Sequence, residues 1–138
     1  MNILFLCVGN SARSQMAEGL AKKMFGPGHK IQSAGSKPSE EVHPVAINVM
    51  NEIGIDISEH KTKSIDDLED TFMTSLDYIV TLCAEEICPM VPSNAESIHW
   101  ILEDPANQNF NNIELEFAFK KTRSNLFNLL KKFMVINL

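Results

Sequence analysis

Five apolar residues in succession, Ile3 to Cys7, are followed closely by Gly9-Asn10-Ser11 and then by a helical pattern, and no other feature narrows the fold of this chain so sharply. An apolar run without alternation belongs to a strand buried on both faces, the condition of a parallel sheet covered by helices. From Ser14 onward Met16, Leu20 and Met24 recur at i, i+4 and i+8 with Ala17 and Ala21 beside them, until Gly26-Pro27-Gly28 ends the pattern. The first 28 residues therefore read as strand, tight loop, helix.

The same alternation continues. Lys30 to Ala34 is a short strand ending at Gly35, and Pro44 opens a helix carrying Val45, Val49 and Ile53 before Gly54 stops it. Ser64-Ile65-Asp66-Asp67 reads as a helix cap with an acidic first turn. Tyr78 to Cys83 and Ser97 to Ile101 are two further strands, a polar stretch runs from Asp104-Pro105 to Asn112, and Ile113 to Phe133 is a helix with Phe117, Leu126, Leu130 and Phe133 on helical spacing. Strands alternating with helices predict an α/β fold: three layers, a four-stranded parallel sheet flanked by helices, in one domain over residues 1–138. Crossover connections in such a sheet bring the strand carboxyl ends, and with them Cys7 and Cys83, to one edge.

Composition excludes several classes. At 138 residues, 44% hydrophobic and 22% charged, the chain has enough apolar side chains for a core without structural metal and too many for disorder. A net charge of −6 argues against nucleic-acid or anionic-membrane binding. The N-terminal apolar run has no basic flank and is too short for a signal peptide, and no later stretch reaches the ~18 uninterrupted apolar residues of a membrane span. We expect a cytoplasmic monomer whose three cysteines, Cys7, Cys83 and Cys88, are thiols at rest.

Taken alone, three cysteines read as small buried hydrophobes. The segment Cys7-Val8-Gly9-Asn10-Ser11-Ala12-Arg13-Ser14 gives Cys7 a different setting, between a buried strand and a helix N-terminus. A sulfur there faces several unpaired backbone N–H groups and the positive end of the helix dipole, which favour thiolate over thiol. The same N–H groups suit a tetrahedral oxyanion, and Arg13 can hold two of its oxygens. Gly9 lets the loop close on the ligand, Asn10 tolerates left-handed backbone, and Ser14 can hydrogen-bond the sulfur.

With these residues in view, CVGNSARSQMAEG resembles the phosphate-binding loop of the low-molecular-weight protein tyrosine phosphatase superfamily. The likeness continues through SAGSKP, EVHPVAINVMNEIGIDISEHKTKSI, DYIVTLCAEEICP and HWILEDPA. In detail the chain is similar to the thioredoxin-coupled arsenate reductases of that superfamily. Two departures from the phosphatase branch point that way. Asp104-Pro105 is followed by Ala106-Asn107-Gln108-Asn109, where phosphatases place tyrosines that hold an aryl phosphate, and Cys83 and Cys88 form a pair that phosphatases lack.

The resemblance implies a mechanism. Cys7 attacks arsenate with Asp104 as general acid, Cys83 attacks the adduct to release arsenite, and Cys88 resolves the Cys7–Cys83 disulfide to leave Cys83–Cys88 for thioredoxin. It implies arsenate, phosphate or sulfate as bound oxyanions, thioredoxin as electron donor, and no bound cofactor. The alternative is a phosphatase working through a Cys7 phosphoenzyme; a non-catalytic oxyanion-binding or redox-sensing module is a third reading. An α-helix over residues 83–88 would hold the two Cα atoms about 8.7 Å apart, beyond the reach of a disulfide, so the segment is expected to unwind on oxidation.

The remaining candidates have plainer readings. His43 before Pro44 is expected to cap a helix, His99 to sit at the fourth strand, His60 and Lys61 to lie on the surface, and Trp100 to pack near the active edge. Phe110, Phe117, Phe119 and Phe127 read as one hydrophobic helix face. Cys83, Cys88 and His99 lack a fourth partner of zinc-like spacing. Glu18 and Ser33 are candidates for support behind the loop. Some relatives hold potassium near the equivalents of Asn10, Glu18 and Ser33, but Lys63 disfavours a cation here, so no metal is expected. No dinucleotide or P-loop glycine motif is present.

Overall fold

The computed structural model describes residues 1–84 and 88–138. Four strands, β1 (Asn2–Cys7), β2 (Lys30–Gly35), β3 (Tyr78–Thr81) and β4 (Glu96–His99), pair in parallel in the order β2-β1-β3-β4. Helices α1 (Arg13–Phe25), α2 (Pro44–Asn51), α3 (Asp70–Thr74) and α4 (Asn112–Asn137) connect or follow them. The central strand β1 shows why its run has no alternation. Ile3 and Phe5 enter one core with Met16, Leu20, Met50, Phe119, Leu126 and Leu130, while Leu4 and Leu6 enter a second core with Leu68, Phe72 and Leu76. The three-layer α/β arrangement read from the sequence is the one observed.

From β1 the chain passes to β2 on one side and later to β3 on the other, so the carboxyl ends of β1 and β3 flank the point where strand order reverses. Ligand crevices open there in parallel sheets. The register pairs Leu6 with Thr81 and Cys7 with Gly35. Gly35 is required at this point: a Cβ on it would run into the Val8 carbonyl oxygen and lie 3.0 Å from the Asn10 nitrogen.

Several element boundaries differ from the sequence expectation. The third strand stops at Thr81 instead of Cys83, because β4 ends opposite it and the Leu82 carbonyl accepts from Arg13. The fourth begins at Glu96 and stops at His99, leaving Ile101 72% exposed. Helix α2 ends at Asn51, and Ile53 is exposed just before Gly54, whose φ of +78° reverses the chain. Helix α4 starts one residue earlier, at Asn112, with a capping box between Asn111 and Glu114, and runs on to Asn137. The expected Phe110–Phe117–Phe119–Phe127 face does not form. The buried stripe is Phe119, Thr122, Leu126, Leu130 and Phe133, at steps of three and four, while Phe117 is 70% exposed.

Two glycines give a paired test of this packing. Gly35→Ala is expected to cost about 1–3 kcal/mol in denaturant unfolding, because the added methyl must displace backbone. Gly28→Ala, whose Cβ would meet nothing within 4 Å, should stay within about 0.5 kcal/mol of the parent.

Candidate active site

Cys7 ends β1, residues 8–12 form the turn, and Arg13 and Ser14 open α1. These residues follow from the local sequence: β1 must end where its two neighbours stop pairing, and Asn10 takes a left-handed φ of +50° to turn the chain into the helix. The Cys7 side chain is buried, with its sulfur 2.8 Å from the Ser14 hydroxyl and accepting a 3.3 Å hydrogen bond from the Asn10 N–H.

A cavity of about 290 Å³ opens over Cys7, lined by Val8, Gly9, Ser11, Ala12, Arg13, Lys37, Ser39 and Asp104. The candidate loop residues thus divide. Asn10 and Ser14 do not line the cavity; they are fully buried beneath it and contact the sulfur. Asn10 also anchors the loop, donating to the Ser14 and Ser33 hydroxyls and accepting at Oδ1 from Gln15 and the Lys63 N–H. Arg13 is 4% exposed and donates to the carbonyl of Leu102 at 2.9 Å and that of Leu82 at 3.4 Å. The guanidinium is therefore fixed to both chain segments that close the site.

Asp104 reaches the cavity from the segment after β4, its Oδ1 accepting from the Ala106 N–H at 3.0 Å. It also borders a larger groove of about 940 Å³ that includes Ala84, Phe110 and Phe117. Cys83 lies two residues beyond β3, and the register places it just past the level of Cys7. It forms a disulfide with Cys88, with Cα atoms 5.5 Å apart, while Cys7 remains a thiol. The expectation that all three cysteines rest as thiols is thereby corrected for this state. The expected unwinding falls in part on Glu85, Glu86 and Ile87, which lie outside the described residues; Cys83, Ala84 and Cys88 are not helical.

Lys37 and Ser39 were not singled out by sequence. The signal was the position of Ser36-Lys37-Pro38 directly after Gly35, which is level with Cys7. His60 is also corrected: its Nδ1 lies 3.0 Å from Gln15 Oε1 and 3.6 Å from Glu18 in a half-buried position instead of on the open surface. His43 accepts from the Val45 N–H as the cap of α2 and packs on Phe119. Trp100 packs on Phe5 and Phe133. Among the described residues, no group of three His, Cys, Asp or Glu is placed to hold a metal ion.

Behind the loop, Ser33 donates to Glu18 at 2.7 Å, and Lys22 and Lys63 lie 2.7 and 3.7 Å from the same carboxylate. Burial pushes the Glu18 carboxyl up, but the Lys22 hydrogen bond, the Lys63 charge and the Ser33 hydroxyl together hold it below the ordinary range. Burial holds His60 below the usual imidazole range against the pull of Glu18. Both folded values are depressed, so each group's contribution is complete above its unfolded value and is lost as pH falls. Stability should therefore decline first below about pH 6.5 as the unfolded chain protonates His60, and again below about pH 4.5 through Glu18. Glu18→Gln should lower stability at pH 7 by about 1–2 kcal/mol and flatten the second decline, as read from urea titrations at pH 7 and pH 4.

Comparison with known proteins agrees with this geometry. A sequence model of the family described as low molecular weight phosphotyrosine protein phosphatase matches residues 2–135. The arsenate reductase of Halalkalibacterium halodurans is 42% identical over 133 residues, covering 95% of this chain and 93% of the relative. The solved structure of an arsenate reductase in its reduced state is 33% identical with a TM-score of 0.74, covering 96% of this chain and 95% of that one. A thioredoxin-dependent arsenate reductase of Corynebacterium glutamicum is 27% identical with a TM-score of 0.69, and covers 98% of this chain but 62% of its own. With its four parallel strands and a match over nearly its whole length, the chain belongs to the low molecular weight phosphotyrosine protein phosphatase family.

Proposed function

We propose that this chain is an arsenate reductase of the family, converting arsenate to arsenite with electrons drawn from its own cysteines. The observation that carries the reading is the Cys83–Cys88 disulfide at the sheet edge that also holds the Cys7 thiol under a cavity lined by Arg13 and Lys37. Phosphate transfer has no use for such a pair, whereas reduction of As(V) to As(III) needs two electrons. The relatives named arsenate reductase support it.

The chemistry follows from the positions. N–H groups of residues 8–13 and the Arg13 guanidinium hold three oxygens of the anion. The Cys7 sulfur, supported by Ser14 and the Asn10 N–H, attacks arsenic, and Asp104 gives a proton to the departing oxygen, which leaves as water. Cys83 then attacks the Cys7 sulfur, and the electron pair of the broken S–As bond stays on arsenic, which leaves as arsenite. Cys88 attacks Cys83, Cys7 departs as thiolate, and the Cys83–Cys88 disulfide remains. A dithiol protein, thioredoxin, then reduces it; the thioredoxin-dependent relative supports this choice of donor. No helix among the described residues is long and apolar enough to cross a membrane, and a reducing cytoplasm suits the cycle.

A phosphatase would stop at a Cys7 phosphoenzyme and be indifferent to the pair. With arsenate, thioredoxin, thioredoxin reductase and NADPH, the parent should consume NADPH only when arsenate is present. Cys88→Ser should release about one arsenite per chain and then stall; unimpaired multiple turnover in that variant would sink the reductase reading. The 5.5 Å Cα separation across the disulfide is also well short of the about 8.7 Å of a helical span. Amides of Ala84 and Cys88 should exchange hydrogen more slowly after reduction, and equal rates in the two forms would show that the segment does not refold.

A further inference from the structure

The segment after β2 lies across the oxyanion loop as a strap. Lys37 N–H donates to the Val8 carbonyl at 2.9 Å, Ser39 N–H to Gly9 at 2.9 Å, and His43 N–H to Ser11 at 2.8 Å. Thr62 holds the strap from its other side, its hydroxyl donating to the Ser39 carbonyl at 2.6 Å. The Ser39 hydroxyl sits 3.0 Å from the point where a Cβ on Gly9 would stand, so the glycine admits that hydroxyl against the loop. The strap thereby delivers Lys37 and Ser39 to the cavity wall, which Asp104 also lines.

Charge gives these residues a task. A doubly charged anion entering the cavity approaches a chain of net charge −6. It also meets Asp104, which lines the cavity. Among the lining residues the cations are Arg13 and Lys37. Arg13 is buried at the base and already donates to two backbone carbonyls. Lys37 is exposed, on a backbone held by the strap. A dianion that also faces the Asp104 side of the cavity calls for a second cation, and Lys37 is the one the fold brings there.

We propose that Lys37 is a substrate-binding residue whose ammonium contacts a doubly charged tetrahedral oxyanion at the cavity mouth, with the Ser39 hydroxyl as an accompanying donor. This rests on the reading that the Cys7 loop takes an oxyanion, and not on the redox steps. It makes selection for dianions a property of the strap as well as of the loop.

Inorganic phosphate is the probe, titrated calorimetrically into the whole protein, its K37Q and K37R variants and S39A, with arsenate kinetics alongside. K37Q should weaken phosphate about three- to tenfold, raise the arsenate KM by a similar factor and leave kcat within about twofold. K37R should restore most of the affinity, S39A should give a smaller loss, and the salt dependence of phosphate binding should be shallower in K37Q. Unchanged affinity and salt dependence in K37Q, or a K37R as weak as K37Q, would overturn the proposal. The exposed position of Lys37 keeps the fold out of the comparison, and thermal midpoints check it. If the parent binds phosphate but reduces no arsenate, the reductase reading fails and the phosphate data still decide on Lys37; if the parent binds no phosphate, both fall.

Discussion

The turn between Cys7 and Arg13 can hold its shape only if its carbonyl oxygens find donors outside the turn, and that requirement organises much of this molecule. The donors are backbone N–H groups of Lys37, Ser39 and His43, which take the carbonyls of Val8, Gly9 and Ser11. Beneath the loop, the Asn10 side chain joins Ser14, Gln15, Ser33 and Lys63 in one buried network. A buried network of this kind is stiff because each unmade bond would leave a desolvated polar group. The loop is therefore held in one shape, and the left-handed backbone at Asn10 is held by the contacts around it.

The same economy links the Cys7 loop to the segment that carries Cys83. Arg13 donates to the carbonyl of Leu82, the residue before Cys83, and to that of Leu102, two residues before Asp104. One guanidinium thus touches the chain leading to Cys83 and the chain leading to Asp104. With the Cys83–Cys88 disulfide formed, the cavity over Cys7 is still open and the sulfur still has its Ser14 and Asn10 partners. The disulfide and an assembled Cys7 loop therefore coexist in one structure.

Much of this was legible in one dimension. The unalternated run Ile3–Cys7 announced a strand between two cores, and the glycine, asparagine and serine after it announced a turn into a helix N-terminus, because those signals act over a few residues. The phenylalanines were not legible. Phe117 and Phe119 are two residues apart on one helix and face solvent and core respectively, a choice made by where α1 and α2 lie against α4. His60 read as surface because its neighbours are polar, yet its ring faces Gln15 and Glu18, 45 and 42 residues earlier in the chain.

Local order alone determined that a sulfur would stand between a buried strand and a helix start, with an arginine six residues on at that helix start, since strand, turn and helix signals are short-ranged. Only the tertiary structure decided what encloses that sulfur. The register of β2 against β1 brings Gly35 level with Cys7, so the strap with Lys37 crosses the loop, and the register of β3 brings Cys83 to the same edge. Register depends on how complete faces of strands and helices pack together, and no short stretch of sequence contains that information.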